Sequence, residues 1–358
     1  MRIGILTFHR AHNYGAVLQC YALQEVLSRM GHRVEIVDYR QPFIENFYRI
    51  RFPKRFFLKK IIRLDFVSII NYLRESMLPE IKRKFVFKEF VKKNLVLSKR
   101  KYEDDFFLED DVYIIGSDQV WSYYCTKRYE KLYWGDFKRK NGSKLIGYAI
   151  SSVGDFDEYI DSKTFCENLR RFDSLSVRET AIKDYIKNNF DVNVDVTIDP
   201  SLLTTKDLWE NVLNNKWNKR KYVAVYELRI PKEEQNYVRE KALLYAKNHS
   251  LEVIDLSKMS YTVNDFLSII SNAEVVFTTS FHAVVFSLIF STDFFAFDIG
   301  DGKEIRYKNL LETINMGHLL LDKKSTIEDI IHYDRLSVQQ KLMILREKSM
   351  KFLYNSLS

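Results

Sequence analysis

The chain has 358 residues, 46% of them hydrophobic and 29% charged, with 11 glycines and 5 prolines. That length exceeds what one core sustains, so two domains are expected, and the composition excludes a disordered, collagenous or linker-dominated chain. The net charge of +8 is unevenly placed: residues 43–101 hold 17 Lys and Arg against 5 Asp and Glu, a local +12 that leaves −4 elsewhere.

The opening spacing predicts a strand over residues 3–6, a glycine turn at Asn13-Tyr14-Gly15, a helix over 16–30 and a returning strand over 33–38. Cys20, Leu23, Leu27 and Met30 fall on one helical face, and Gly31 supplies the stop. A parallel βαβ unit follows, rather than a signal peptide, because residues 1–7 are too short and too soon polar to be one. Residues 43–101 interrupt the pattern and predict a basic helical insertion rich in Lys, Arg and Phe. Such a segment is a solvated cover for the sheet, or a surface that meets anionic lipid headgroups or an anionic substrate.

Alternation then resumes. Strands are predicted over 112–115, 145–150, 174–177 and 195–199, the last ended by Asp199-Pro200 because proline donates no ladder hydrogen bond. A second half repeats the theme: strands over 221–228, 251–256, 274–278, 294–297 and 319–321 alternate with helices, including one from Glu328. Residues 335–354 predict a final helix packing back across the first domain. The expected organisation is therefore an N-terminal Rossmann-like domain, 1–200, a second one, 201–334, and a terminal helix, 335–358. Residues 275–299 are apolar enough to suggest a membrane span, but Thr278, Thr279, Ser280, His282 and Asp293 argue for strand, helix and strand instead.

Cys20, Cys125 and Cys166 are widely separated and show no Cys-x-x-Cys pair, so neither a disulfide framework nor a structural zinc site is expected and a cytoplasmic setting fits. No metal-ligand set is visible. Nothing like an RNA-stacking motif accompanies the basic segment, so no nucleic-acid partner is expected.

Two doubly wound domains turn the carboxyl ends of their strands towards a shared cleft, where ligands of this fold type bind. His9, Asn13, Tyr14 and Gly15 follow the first strand and open a helix whose free N–H groups suit an anion or a sugar hydroxyl. A plain turn and cap is the competing account. Ser117, Asp118, Gln119 and Trp121 follow the strand ending at Gly116. Asp118 is a candidate base for a hydroxyl proton, and Trp121 a platform for a sugar face, against the alternative of an Asx turn. Arg178 follows another strand and can hold phosphate bidentately, or simply pair with Glu179. Thr278-Thr279-Ser280-Phe281-His282 brings a strand end, hydroxyls, a helix start and an imidazole together, which makes His282 the leading catalytic candidate. Lys303 and Arg306, after the next strand, could add positive charge to the same cleft.

At these residues the chain resembles the polysaccharide pyruvyl transferase family. The stretches that carry the resemblance are Thr7-Phe8-His9 with Asn13-Tyr14-Gly15-Ala16-Val17-Leu18-Gln19, Gly116-Ser117-Asp118-Gln119-Val120-Trp121, Ser176-Val177-Arg178-Glu179 with Asp199-Pro200-Ser201-Leu202-Leu203, and Ser280-Phe281-His282. The resemblance implies an α/β fold of two Rossmann-like domains facing a cleft, similar to the glycosyltransferase-B architecture. It also implies transfer of pyruvate from phosphoenolpyruvate, as co-substrate and without a cofactor, onto a glycan or lipid-linked saccharide. The family histidine maps onto His282 and its arginine before glutamate onto Arg178. Ser280 stands where many members carry an arginine, and Ala283 where many carry a glycine. The alternative activity is a nucleotide-sugar glycosyltransferase of the same architecture.

Overall fold

The computed structural model describes residues 1–358 except 51, 64, 103–106, 153–159, 219, 229–235, 258–260, 301, 303–304 and 328–332. The predicted Lys303 and the helix expected at Glu328 lie outside the described residues.

The first sheet contains β1 (Arg2–Leu6), β2 (Arg33–Tyr39), β3 (Leu97–Tyr102), β4 (Val112–Gly116), β5 (Lys144–Ile150), β6 (Ser174–Val177) and β7 (Asp195–Val196). Its order is β3-β2-β1-β4-β5-β6-β7 and every pairing is parallel. The central strands β1 and β4 are near-continuous apolar runs, as strands covered on both faces must be. The second sheet contains β8 (Tyr222–Tyr226), β9 (Glu252–Asp255), β10 (Val275–Thr278), β11 (Asp293–Phe297) and β12 (Leu320–Leu321), in the order β9-β8-β10-β11-β12, again all parallel. Both orders are doubly wound, and each reverses direction once: between β1 and β4, and between β8 and β10.

Helices cover the sheets: α1 (Tyr14–Arg29), α2 (Leu78–Asn94), α3 (Ser162–Leu169), α4 (Thr180–Phe190), α5 (Tyr237–Asn248), α6 (Val263–Asn272), α7 (Phe281–Phe290), α8 (Ile305–Thr313) and α9 (Arg335–Leu357). The apolar stretch 275–299 resolves into β10, α7 and β11, and among the described residues no helix is long and apolar enough to cross a bilayer.

The basic segment differs from its expectation. Residues 97–102 are not part of a helical insertion but the edge strand β3, and α2 is the crossover helix that parallel pairing of β2 with β3 requires. Val86, Phe87, Phe90 and Val91 bury one side of α2 against the core. The extra material is the run of helices Pro42–Phe47, Lys54–Ile62 and Phe66–Tyr72 with the wider turn Leu73–Met77. Edge strands favour charged side chains, which block further pairing, so Lys99 on β3 hid it from an apolar search.

Helix α1 is buried nearly all round, because the first sheet lies on one side and the second domain on the other. Its apolar residues from Val17 to Leu27 belong to one continuous core that includes the second sheet, while the far face of the first sheet has a separate core around Trp121, Trp134 and Phe165. Helix α9 starts with Arg335 on Asp293 and Ser291 of the second domain and ends with Ser356 accepting from Lys144 of the first. Between them Arg346 donates to the carbonyls of Leu202 and Thr204, and Ser349 receives the Ile198 amide. The domains are thus joined by packing on both sides of α1.

Candidate active site at the domain seam

The two switch points meet at this seam. Asn13 caps α1 by accepting the Ala16 amide at 3.2 Å, and Ser280 caps α7, its hydroxyl 3.5 Å from the Ala283 amide. The first turns of the two helices are in contact. A Cβ added to Gly15 would stand 1.9 Å from His282 Nδ1, so only glycine lets the imidazole lie against α1. Gly15 was expected to admit a ligand; the group it admits is His282. Two helix N-termini therefore point their partial positive charge into one small volume, a ready place for an anion.

Asp199 joins the strand ends. It follows β7, is fully buried, and starts a short 3-10 turn at Pro200 by accepting the Ser201 amide on Oδ1. Its Oδ2 accepts Arg178 Nη1 at 3.0 Å and the Ser117 hydroxyl at 3.2 Å, and lies 3.5 Å from His282 Nε2. That last separation is an ionic approach longer than a hydrogen bond, and Nε2 has no hydrogen-bond partner although His282 is only 6% exposed. Burial pushes the Asp199 carboxyl up, but the His282 imidazole and the Arg178 guanidinium outweigh it and hold the carboxyl below the usual carboxylate range. An ionised acceptor is therefore fixed beside His282.

Arg178 is tied down. Besides Asp199 it donates to Glu179 Oε1 at 3.1 Å and to the Ser151 hydroxyl at 2.6 Å, and its guanidinium lies 4.4 Å from the centre of the Phe281 ring. Arg178, expected as a phosphate ligand, is instead a buried clamp with the Glu179 pairing realised, because each of its three guanidinium nitrogens has a protein acceptor. Phe281 and His282 thus grip the first domain together, one on Arg178 and the other beside Asp199.

Several other candidates are placed differently from expectation. His9 is buried with both ring nitrogens engaged, Nε2 on Asp38 at 3.1 Å and Nδ1 on the Thr7 carbonyl at 3.1 Å, so it is not free as a base. Asp38 also receives the Arg10 guanidinium, so it pairs within the chain. Tyr14 is an interdomain pillar: its hydroxyl donates to the Tyr261 carbonyl at 2.8 Å and its ring stacks on Phe266 at 4.4 Å. Trp121 is 3% exposed, stacked on Trp134 at 4.2 Å and donating to the Tyr133 carbonyl. Its faces serve the core and are not a sugar platform.

Asp118 remains beside the site. It follows Ser117, is half-buried, and has a left-handed φ of 69° in which its carboxylate accepts the Gln119 amide. Gln119 accepts from the Cys125 thiol, while its buried Nε2 has no partner. Arg306 lies half-buried in the first turn of α8.

Three groups near the strand ends were not singled out by sequence. Asp199 registered as a turn signal and as part of a stretch that carries the family resemblance, but not as a site residue. Glu227 directly follows β8 at the second switch point, where burial and then the nearby Asp255 carboxylate push its carboxyl up to about 7. His12 sits between Tyr48 and Phe87, and burial followed by the charges of Arg83 and Lys84 pushes its imidazole down to about 4. A cavity of about 530 Å³ lies at the opposite strand ends between β6, β7 and α9, around Ser174, Asp195, Lys348 and Asn355. Its lining has no imidazole and no helix N-terminus, both of which the seam has.

A model of one family, polysaccharide pyruvyl transferase, matches residues 13–301, which include Gly15, Ser117, Arg178, Asp199, Ser280 and His282. The chain belongs to the polysaccharide pyruvyl transferase family. It is accordingly a transferase, and His282, Asp199, Ser117 and Gly15 all lie within the matched region. Comparison with curated proteins found no match. Among solved structures, a Klebsiella pneumoniae subsp. pneumoniae protein is 18% identical with a TM-score of 0.39, covering 66% of this chain and 85% of that one. An alpha-glucosyltransferase in complex with UDP and DNA is 12% identical at a TM-score of 0.40, covering 99% and 95%. TcCGT1 in complex with UDP is 8% identical at 0.40, covering 99% and 94%.

Proposed function

We propose that this transferase moves the pyruvyl group of phosphoenolpyruvate onto two hydroxyls of a glycan or lipid-linked saccharide, giving a cyclic ketal and inorganic phosphate. The observation that carries the reading is the imidazole of His282 held between Gly15 and Asp199, at the meeting point of two helix N-termini. The donor phosphate and carboxylate are anions that such a point attracts. His282 gives a proton to the methylene carbon of the donor, which leaves C2 electrophilic. One sugar hydroxyl adds to C2 and loses its proton to Asp118. The C2–O bond to phosphate then breaks, phosphate leaves with its electron pair, and the second hydroxyl closes on C2 as its proton goes to phosphate. One hydroxyl proton replaces the one spent on the methyl group, so no redox partner or cofactor enters the balance.

Purified protein should release phosphate from phosphoenolpyruvate only when a suitable glycan is present. His282→Ala should lower that rate by about 10²–10⁴-fold, the range of a lost general acid. Wild-type turnover by His282→Ala would remove the assigned role, and release of nucleoside diphosphate from a nucleotide sugar, with phosphoenolpyruvate inert, would replace the reading.

A further inference from the structure

The helices inserted between β2 and α2 expose more apolar surface than their own packing requires. In the helix Lys54–Ile62 only Phe57 is buried among the side chains described, while Leu58, Ile61 and Ile62 lie exposed at helical spacing along one stripe. The next helix, Phe66–Tyr72, buries none of its residues and exposes Phe66, Val67 and Ile70. Ile62 is 75% and Val67 69% exposed. On α2 the core side holds Val86, Phe87, Phe90 and Val91, yet Leu78, Ile81 and Phe85, spaced three and four apart, form a second stripe open to solvent. Isolated exposed apolar residues are ordinary on a surface; three stripes on successive helices are not.

The charges around these stripes identify what covers them. Residues 43–101 carry 17 Lys and Arg against 5 Asp and Glu, and Lys59, Arg63, Lys82 and Lys84 stand exposed beside the apolar residues. A second copy of the chain docking here through the same face would bring two +12 segments together. Anionic lipid supplies the opposite charge for the basic side chains and an apolar interior for the stripes. We infer that the helices of residues 54–85 dock the protein onto an anionic membrane surface, with Leu58, Ile61, Ile62, Val67, Ile70 and Phe85 entering the headgroup region. The inference is independent of the donor and acceptor proposed above. It would place the site beside the bilayer, since Phe87 on the inner side of α2 packs on His12 and Tyr14 at the start of α1.

The test is co-sedimentation of the full chain with vesicles of phosphatidylcholine alone and of phosphatidylcholine mixed with phosphatidylglycerol. Binding is expected to the mixed vesicles and to weaken as salt rises. Ile62→Glu with Val67→Glu should lower partitioning at least about tenfold, and so should Lys59→Glu with Arg63→Glu. Circular dichroism identical to wild type would show that both variants fold. No binding of the wild type to the mixed vesicles overturns the inference, as does binding unchanged in both folded variants. A wild-type dimer in solution that the Ile62→Glu, Val67→Glu variant dissociates, without any vesicle binding, would assign the face to a second copy instead.

Discussion

The His282 imidazole occupies the space that a side chain at position 15 would fill, with Nδ1 1.9 Å and Cγ 2.2 Å from a Cβ built on Gly15. These residues belong to different domains and are far apart in sequence, and their contact holds the first turn of α7 against that of α1. Gly15→Ala should therefore push His282 away from Asp199. Since Cγ is close to the α7 backbone, a rotamer change cannot relieve the clash cheaply. The expected outcome is an activity loss of about 10²-fold or more, from misplacement of the imidazole, with the chain still folded. Phosphate release and a thermal melt measured together check it; full activity in Gly15→Ala would show that the contact has no functional role.

Asp199 is the acceptor shared by Arg178 and Ser117 and the carboxylate nearest His282. Replacing it with asparagine removes one of the two carboxylates paired with the buried Arg178 guanidinium and leaves Glu179 in place, so the loss should fall below the about 3–5 kcal/mol of a buried charge stripped of every partner. The pH dependence has a definite sign. Because the folded carboxyl is held below its ordinary value, its stabilisation is fully present above the unfolded carboxylate range and is lost as pH falls through and below it. Urea unfolding at pH 7 should show the deficit in Asp199→Asn, and the gap between variant and wild type should narrow towards pH 3. A constant gap would mean that the charge on Asp199 is not what stabilises the seam.

Glu227 gives the opposite sign. Its carboxyl is pushed up to about 7 in the folded protein, so folding takes up a proton between the ordinary glutamate range and neutrality. Stability from this group is present at low pH and declines as pH rises towards 7. Glu227→Gln should then be more stable than wild type at pH 8 by about 1 kcal/mol, a figure reduced for solvent screening of a half-buried group, and equal to it near pH 4. Equal melting temperatures at both pH values would overturn the assignment.

Trp121 offers a clean separation of core from site. Stacked on Trp134 and bonded to the Tyr133 carbonyl, it should cost about 3–5 kcal/mol when cut to alanine, as buried aromatic truncations do. Trp121→Phe should keep most of the stability and leave the KM for the glycan unchanged. A selective rise in that KM with stability intact would restore the ring to the binding surface.

Much of the architecture is legible from strand-like apolar runs such as Val112-Tyr113-Ile114-Ile115 and Val275-Val276-Phe277, because strands covered on both faces must be apolar. β3 was not legible: an edge strand reading Leu-Ser-Lys-Arg-Lys-Tyr carries no such run. Lys and Phe patterns correctly located the helices of residues 54–94, but not that α2 is the crossover joining β2 to β3. At the seam, Gly15, Ser117, Ser280 and His282 could be singled out, since polar residues at the ends of buried strands need a reason to be there. The partners of each could not.

Sequence alone therefore determined the class of the fold, the family resemblance and the segments from which the site is drawn, since burial periodicity and strand-end chemistry are local properties. Only the tertiary structure decided which candidates lie together. It set His282 against Gly15 and beside Asp199, tied Arg178 into a buried clamp, and withdrew His9, Tyr14 and Trp121 into packing roles. The reason is physical: whether a polar or aromatic side chain is free or already satisfied depends on neighbours brought in from distant strands, and no local spacing records those distances.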